Sequence, residues 1–351
     1  MDKKTQRLIT LTNIGLLLAF VVVVLGAFTR LVDAGLGCPD WPGCYGFLSV
    51  PESHEEIAQA QERFPDALVE SEKAWPEMIH RYFAGALGLL ILGIAWFTFQ
   101  YSRENAQFRS SRISTLCTVL LVLVICQAAF GMWTVTLKLW PQIVTTHLLG
   151  GFATLSLLWV IRLKLDRYGL PSRTLPGADI LVSDTSIRRH ARLGLVILVF
   201  QIALGGWTSS NYAALACPDF PTCQNEFWPE MDLKQGFDVF QTLGPNYLGG
   251  LMSGHARVAI HMMHRSGAVV TLFALLILGL RMLSRDAVSK ESRVAVNFMF
   301  ALLACQLALG IANVVFSIPL WVATMHNGVG VLLLLSVISV NARMVSSRVK
   351  I

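Results

Sequence analysis

The sequence predicts an all-α integral membrane protein of eight transmembrane helices, arranged as two tandem, pseudo-symmetric four-helix bundles. Three observations predict it: composition, eight long apolar runs and an internal repeat. Of the 351 residues, 54% are hydrophobic and 14% charged, whereas a soluble domain carries about 25% charged residues. The apolar runs cover 9–32, 79–100, 113–137, 142–163, 191–210, 258–281, 294–316 and 318–342. Most reach the roughly 20 residues that cross about 30 Å of hydrocarbon. They are continuous rather than alternating, which selects helices over a barrel. The repeat announces itself in two octapeptides: GCPDWPGC at residues 37–44 returns as ACPDFPTC at 216–223.

Each run is bounded by charge. The first follows Lys3, Lys4 and Arg7. It is long and no A-x-A cleavage site follows it, so it reads as a retained helix and not a signal peptide. The segment 33–77 after it is acidic, with Asp40, Glu55, Glu70 and Glu77 among ten acids against only Arg63 and Lys73. Arg103, Arg109 and Arg112 separate the second and third runs. Arg162, Lys164, Arg167, Arg173, Arg188, Arg189 and Arg192 surround the junction of the fourth and fifth. A second acidic loop joins the fifth to the sixth. Arg281, Arg285, Lys290 and Arg293 lie between the sixth and seventh, and Arg343, Arg348 and Lys350 follow the eighth. Basic loops mark the cytoplasmic side, so both termini are expected inside and the long loops outside. The net charge of +6 is then a topology signal, and no nucleic acid is implied. No Arg/Ser-rich presequence is seen, which favours a bacterial cytoplasmic membrane over a mitochondrion.

The repeat extends beyond the octapeptides. At the same offset of 179, Gly26 and Thr29 match Gly205 and Thr208, Cys126-Gln127 and Gly131 match Cys305-Gln306 and Gly310, and His147 matches His326. The offset becomes 184 where HRYFAG meets HRSGAV, matching His80 and Arg81 with His264 and Arg265. The predicted units are an N-terminal half at 1–170, a cytoplasmic linker at 171–189 and a C-terminal half at 190–351. Each half starts inside, so the pseudo-twofold runs along the membrane normal.

Cys38 with Cys44, and Cys217 with Cys223, fall in outer loops. A disulfide within each pair suits an oxidising compartment, and the Pro and Asp between them favour a turn. Such a pair is either a structural staple or redox-active. Cys117, Cys126 and Cys305 lie inside helices and are expected to pack.

His80, His147, His264 and His326 each sit near the outer start of an even-numbered helix. Ionisable residues within a membrane point to function, and four at repeat-related positions in a bundle core point to a cofactor. Neutral imidazole suits zinc, copper or iron. Two histidines per half in an apolar setting suit a flat macrocycle held from both faces, a bis-histidine haem, with His80 paired to His147 and His264 to His326. Gly85, Gly150, Gly151, Gly267 and Gly328 either admit a porphyrin or pack helices. Arg81 and Arg265 either meet haem propionates or snorkel. Glu77 lies one turn before His80, and its counterpart is His261. A carboxylate beside one site only marks the first half for chemistry, unless it is one more interfacial acid. His261 reads as a surface histidine, and His54, His190 and His255 as ordinary.

EMIHR at Glu77–Arg81, TTHLLGG around His147, MMHRSGA around His264, ATMHNGVG around His326 and the two CPD-aromatic-P-x-C loops together resemble the haem A synthases, over nearly the whole chain. The resemblance implies oxidation of the C8 methyl of haem O to a formyl group, giving haem A for cytochrome oxidase. It implies substrate haem framed by His80 and His147, a b-type haem held by His264 and His326, and Glu77 in catalysis. It also implies an electron acceptor or donor, and admits a complex with haem O synthase or an oligomer. Three other readings stand beside it: a di-haem electron-transfer cytochrome, a membrane thiol oxidoreductase and a solute transporter built from parallel repeats.

Overall fold

The structure, a computed structural model, describes residues 2–168, 185–241, 245–285 and 288–344. Among these are eleven helices: α1 (Lys3–Leu31), α2 (His54–Arg63), α3 (Ser71–Glu104), α4 (Ala106–Ser110), α5 (Ile113–Thr136), α6 (Pro141–Tyr168), α7 (Thr185–Ser210), α8 (Leu233–Gly236), α9 (Gly254–Leu283), α10 (Lys290–Val315) and α11 (Leu320–Met344). Eight of them, all but α2, α4 and α8, are long and apolar enough to cross a membrane. They coincide with the eight apolar runs. The described residues form no strand, only isolated bridges at Cys44–Phe47 and Cys223–Glu226. Most of the expected 171–189 linker lies outside the described residues, and its last residues already belong to α7.

The helices outrun the apolar segments at their starts because polar caps satisfy the free N–H groups there. Asp2 accepts from the Thr5 N–H at 2.7 Å and opens α1 six residues before the apolar run. Ser253 accepts from Ala256 and opens α9. In the acidic loop, Ser53 and Glu56 form a reciprocal capping box that starts α2. That S-x-x-E signature was readable in the sequence but is not followed by an apolar run.

α1 packs on α3 and α6, and α5 on the same two. α7 packs on α9 and α11, and α10 on the same two. α1 and α6 also meet α11, and α6 meets α7. α11 therefore touches four helices, and 56% of its spanning window is buried against 17–33% for the others. One apolar core runs through all of this, from Ile91, Leu120 and Leu155 to Leu275, Met299 and Val337. Polar contacts cross the α1–α6 and α7–α11 groups. Arg30 donates to the Ser209 carbonyl at 2.7 Å and lies over the Tyr212 ring, Thr145 meets Ser210 at 3.0 Å, and Trp159 donates to Ser339.

The backbone repeats where the side chains do not. Left-handed residues occur at Asp33, Tyr45, Lys138 and Leu139, and again 179 residues on at Tyr212, Gln224, Ser317 and Ile318. Non-glycine residues are uncommon in that region, so four shared positions with unlike side chains indicate a common loop path. Cys117 is buried as expected. Cys126 and Cys305 instead face outward on α5 and α10.

Candidate functional site

His80 comes from α3, His147 from α6, His264 from α9 and His326 from α11. All four lie deep among the helices yet keep partial surface exposure. His147 lies within electrostatic reach of His80, and His264 of His326. Each ring is seated against a glycine of a neighbouring helix. A Cβ at Gly26 would come 3.0 Å from His80 Cε1, at Gly131 3.4 Å from His147, at Gly205 3.2 Å from His264 and at Gly310 3.2 Å from His326. The four seats follow the 179-residue repeat. They are not the glycines singled out from proximity in sequence. Gly85 has nothing within 4 Å, Gly151 meets Val23, Gly328 meets Phe20 and Val24, and Gly150 and Gly267 make room for Gln127 and Gln201. Helix phase decides this: a residue three or four positions from a histidine shares its face, but its Cβ meets whatever the next helix presents.

The imidazoles are under-satisfied. Nδ1 of His80, His147 and His326 is buried without a hydrogen-bond partner. An unmatched buried polar group costs about 1–3 kcal/mol, so these rings suit a ligand that uses them. Two rings have a glutamine beside them: His264 Nδ1 lies 3.1 Å from Gln201 Nε2, and His326 Nε2 lies 3.3 Å from Gln306 Nε2. Among the described residues no three His, Cys, Asp or Glu gather as a metal site. The donors come in pairs, which fits a macrocycle ligated from two faces better than a tetrahedral ion.

Above the histidines lie the cysteine loops. Cys38–Cys44 and Cys217–Cys223 are disulfides, with Cα–Cα distances of 4.8 and 4.6 Å, and all four cysteines are fully buried. The Trp41–Pro42 and Phe220–Pro221 bonds are both cis. Inside each loop an aspartate gathers N–H groups: Asp40 accepts from Tyr45 and Gly46, Asp219 from Gln224 and Asn225. The Thr222 hydroxyl, with those amides behind it, holds the Asp219 carboxyl below the usual carboxylate range.

Arg81 and Arg265 clamp the loops. Arg81 donates to the carbonyls of Asp40, Pro42 and Gly43. Arg265 donates to those of Cys217, Asp219 and Thr222. This fixed fork of donors is a role that sequence position did not reveal. Arg265 Nε remains buried and unpaired. Glu77 is 5% exposed, and its carboxylate accepts from Arg81 at 2.5 Å and from the Cys38 N–H at 3.0 Å. It thus joins the histidine helix to the disulfide. At the corresponding place His261, expected at the surface, is 4% exposed and bonds the Ala213 carbonyl at 3.1 Å. Both residues hold down the start of the outer loop, one as a charged acceptor and one through an imidazole nitrogen.

Eight helices long and apolar enough to span, with paired histidines seated on glycines beside disulfide loops, define a polytopic membrane protein. Residues 9–338 match the model of a family described as cytochrome oxidase assembly protein. A protein named haem A synthase from Shewanella oneidensis is 44% identical over 339 residues, 96% of each chain. Proteins of the same name from Caulobacter sp. strain K31 and Sphingopyxis alaskensis are each 26% identical over 90% of this chain, covering 90% and 86% of their own. The chain belongs to the haem A synthase family of cytochrome oxidase assembly proteins.

Proposed function

We propose that this chain is a haem A synthase, oxidising the C8 methyl of haem O to the formyl group of haem A. The observation that carries the reading is the repeat-related set of four histidines, each seated on a glycine, in a chain 44% identical end to end to a protein of that name. Two successive two-electron oxidations, each adding one oxygen atom from water and releasing two protons, convert methyl to hydroxymethyl and then to a gem-diol, which loses water. The electrons pass to an acceptor outside the chain.

The halves 1–170 and 190–351 form tandem four-helix bundles joined by the 171–189 linker, a reading supported by the helix contacts and the recurring left-handed residues. The basic loops support a topology with both termini in the cytoplasm of a bacterium and the disulfide loops, with the site beneath them, at the outer face of its cytoplasmic membrane. His80 and His147 frame haem O. His264 and His326 hold haem b, which supplies one-electron redox chemistry when bound. Glu77 is the carboxylate beside the substrate histidines, and it takes up or hands on a proton during the oxidations. Arg81 and Arg265 hold the loops over the two sites, and the unpaired Nε of Arg265 suits a propionate. Haem O arrives from its synthase, by direct contact between the two enzymes or within an oligomer.

The test is haem extraction and mass analysis of the protein purified from a host that makes haem O but no haem A. Haem A or its hydroxylated precursor, together with haem B, is the expected result. Haem B alone, with haem O available, would move the chain to the electron-transfer cytochromes.

A further inference from the structure

The two halves differ in what stands behind their first histidine. In the second half Gln201 of α7 reaches His264, its amide nitrogen 3.1 Å from Nδ1 and 3.0 Å from the His264 carbonyl. Its Oε1 is buried and without a partner. The amide lies in a notch that only glycine leaves open: a Cβ at Gly267 would stand 2.2 Å from Gln201 Oε1. The repeat places Val22 opposite Gln201, and Phe83 opposite Gly267. In the first half, therefore, an apolar pair occupies the place of the amide and its notch. The Val22 carbonyl lies near the His80 ring, but His80 Nδ1 makes no hydrogen bond of ordinary geometry.

We infer that Gln201 is a positioning residue for the C-terminal haem, fixing the ring of His264 and setting the reduction potential of the iron it binds. The inference rests on ligation of haem b by His264. An imidazole bound to iron through Nε2 carries its proton on Nδ1 and needs an acceptor there. The Gln201 amide stands at hydrogen-bond distance from Nδ1, and its Oε1 is free to accept. Oxygen and nitrogen of a glutamine amide exchange places by a half-turn about its last torsion, which gives up the Nε2 donation to the His264 carbonyl and brings Oε1 to Nδ1. Accepting from Nδ1–H makes the ligand more basic and favours ferric iron, which lowers the potential. Val22 has no side-chain acceptor, and its carbonyl near the His80 ring makes no hydrogen bond of ordinary geometry, so the N-terminal site lacks an amide held against its histidine. The asymmetry divides the halves chemically: one iron is poised by its surroundings for electron transfer, and the other is left with ligands less firmly held.

The experiment is a potentiometric titration of the purified full-length protein, read in the visible b-type bands, with resonance Raman of the reduced state to follow the iron–histidine modes. Three chains are compared: wild type, Q201V (the residue of the first half) and Q201E. Q201V is expected to raise the midpoint potential and Q201E, a stronger acceptor, to lower it, with opposite shifts in the iron–histidine modes. Unchanged potentials in both variants would overturn the inference. So would loss of haem from Q201V with a wild-type potential in Q201E, since the glutamine would then only fill space. The underlying assignment is checked separately by H264A. If that variant keeps the b-type spectrum, the ligation reading itself is wrong, whatever Gln201 does.

Discussion

Gly26 and Gly131 do the same job at different clearances. A Cβ would stand 3.0 Å from His80 in one case and 3.4 Å from His147 in the other. The first is a clash that the ring must yield to, the second ordinary contact. G26A is therefore expected to cut haem A formation well below that of G131A, with the b-type spectrum intact in both; product analysis beside an optical spectrum checks this. Equal activity would mean that the His80 ring has slack. The sequence marked both glycines as repeat partners of Gly205 and Gly310 but not as histidine seats, because contact across helices depends on rotational phase. It marked Glu77 through its asymmetry with His261, and the structure buries Glu77 on the same helix as His80, paired with Arg81. E77Q keeps an acceptor for the Cys38 N–H and should fold and bind haem yet form little product. E77A leaves Arg81 its loop carbonyls but removes its counter-charge and the acceptor for the Cys38 N–H. Breaking a buried ion pair costs about 3–5 kcal/mol, so a lower melting temperature is expected in E77A, and a smaller fall in E77Q, whose amide oxygen still accepts. Wild-type turnover in E77Q would remove the proton role.

At the scale of elements, the eight spanning helices were legible because continuous apolar runs have few competing explanations. The outer loops were legible only as cysteine spacing and charge. Their path depends on left-handed backbone at Tyr45 and Gln224, on Asp40 and Asp219, and on carbonyls that carry no side-chain signature. The arginine clamp is the clearest case. Arg81 and Arg265 were visible as repeated residues, but their partners are backbone oxygens, which sequence patterns do not display. R81K tests the clamp. Lysine keeps the charge but not the planar fork that reaches three carbonyls and Glu77 together. The expected outcome is faster proteolytic cleavage within residues 37–47 of the detergent-solubilised protein and reduced product. R265K should loosen 216–226 in the same assay. Loops as resistant as wild type would show that the disulfides alone hold them.

At the scale of the molecule, the repeat gives one chain two histidine pairs, and their surroundings differ. Duplicated halves sharing helix contacts and loop path are free to diverge in a few side chains: Glu77 against His261, Val22 and Phe83 against Gln201 and Gly267. These differences are confined to the surroundings of the histidines, while the histidines and their glycine seats are kept. On the proposed reading, the ligand type is common to both halves and the chemistry is not. H80A and H147A are expected to abolish haem A formation and leave the b-type spectrum largely intact. H264A and H326A are expected to lose that spectrum, and product with it, because electrons can no longer leave the first site. Extracted haem identified by mass, beside difference spectra of the same preparations, separates the two classes. If all four variants lose the same haem, the two histidine pairs hold equivalent groups, and the divergence around them serves folding instead of a division of labour.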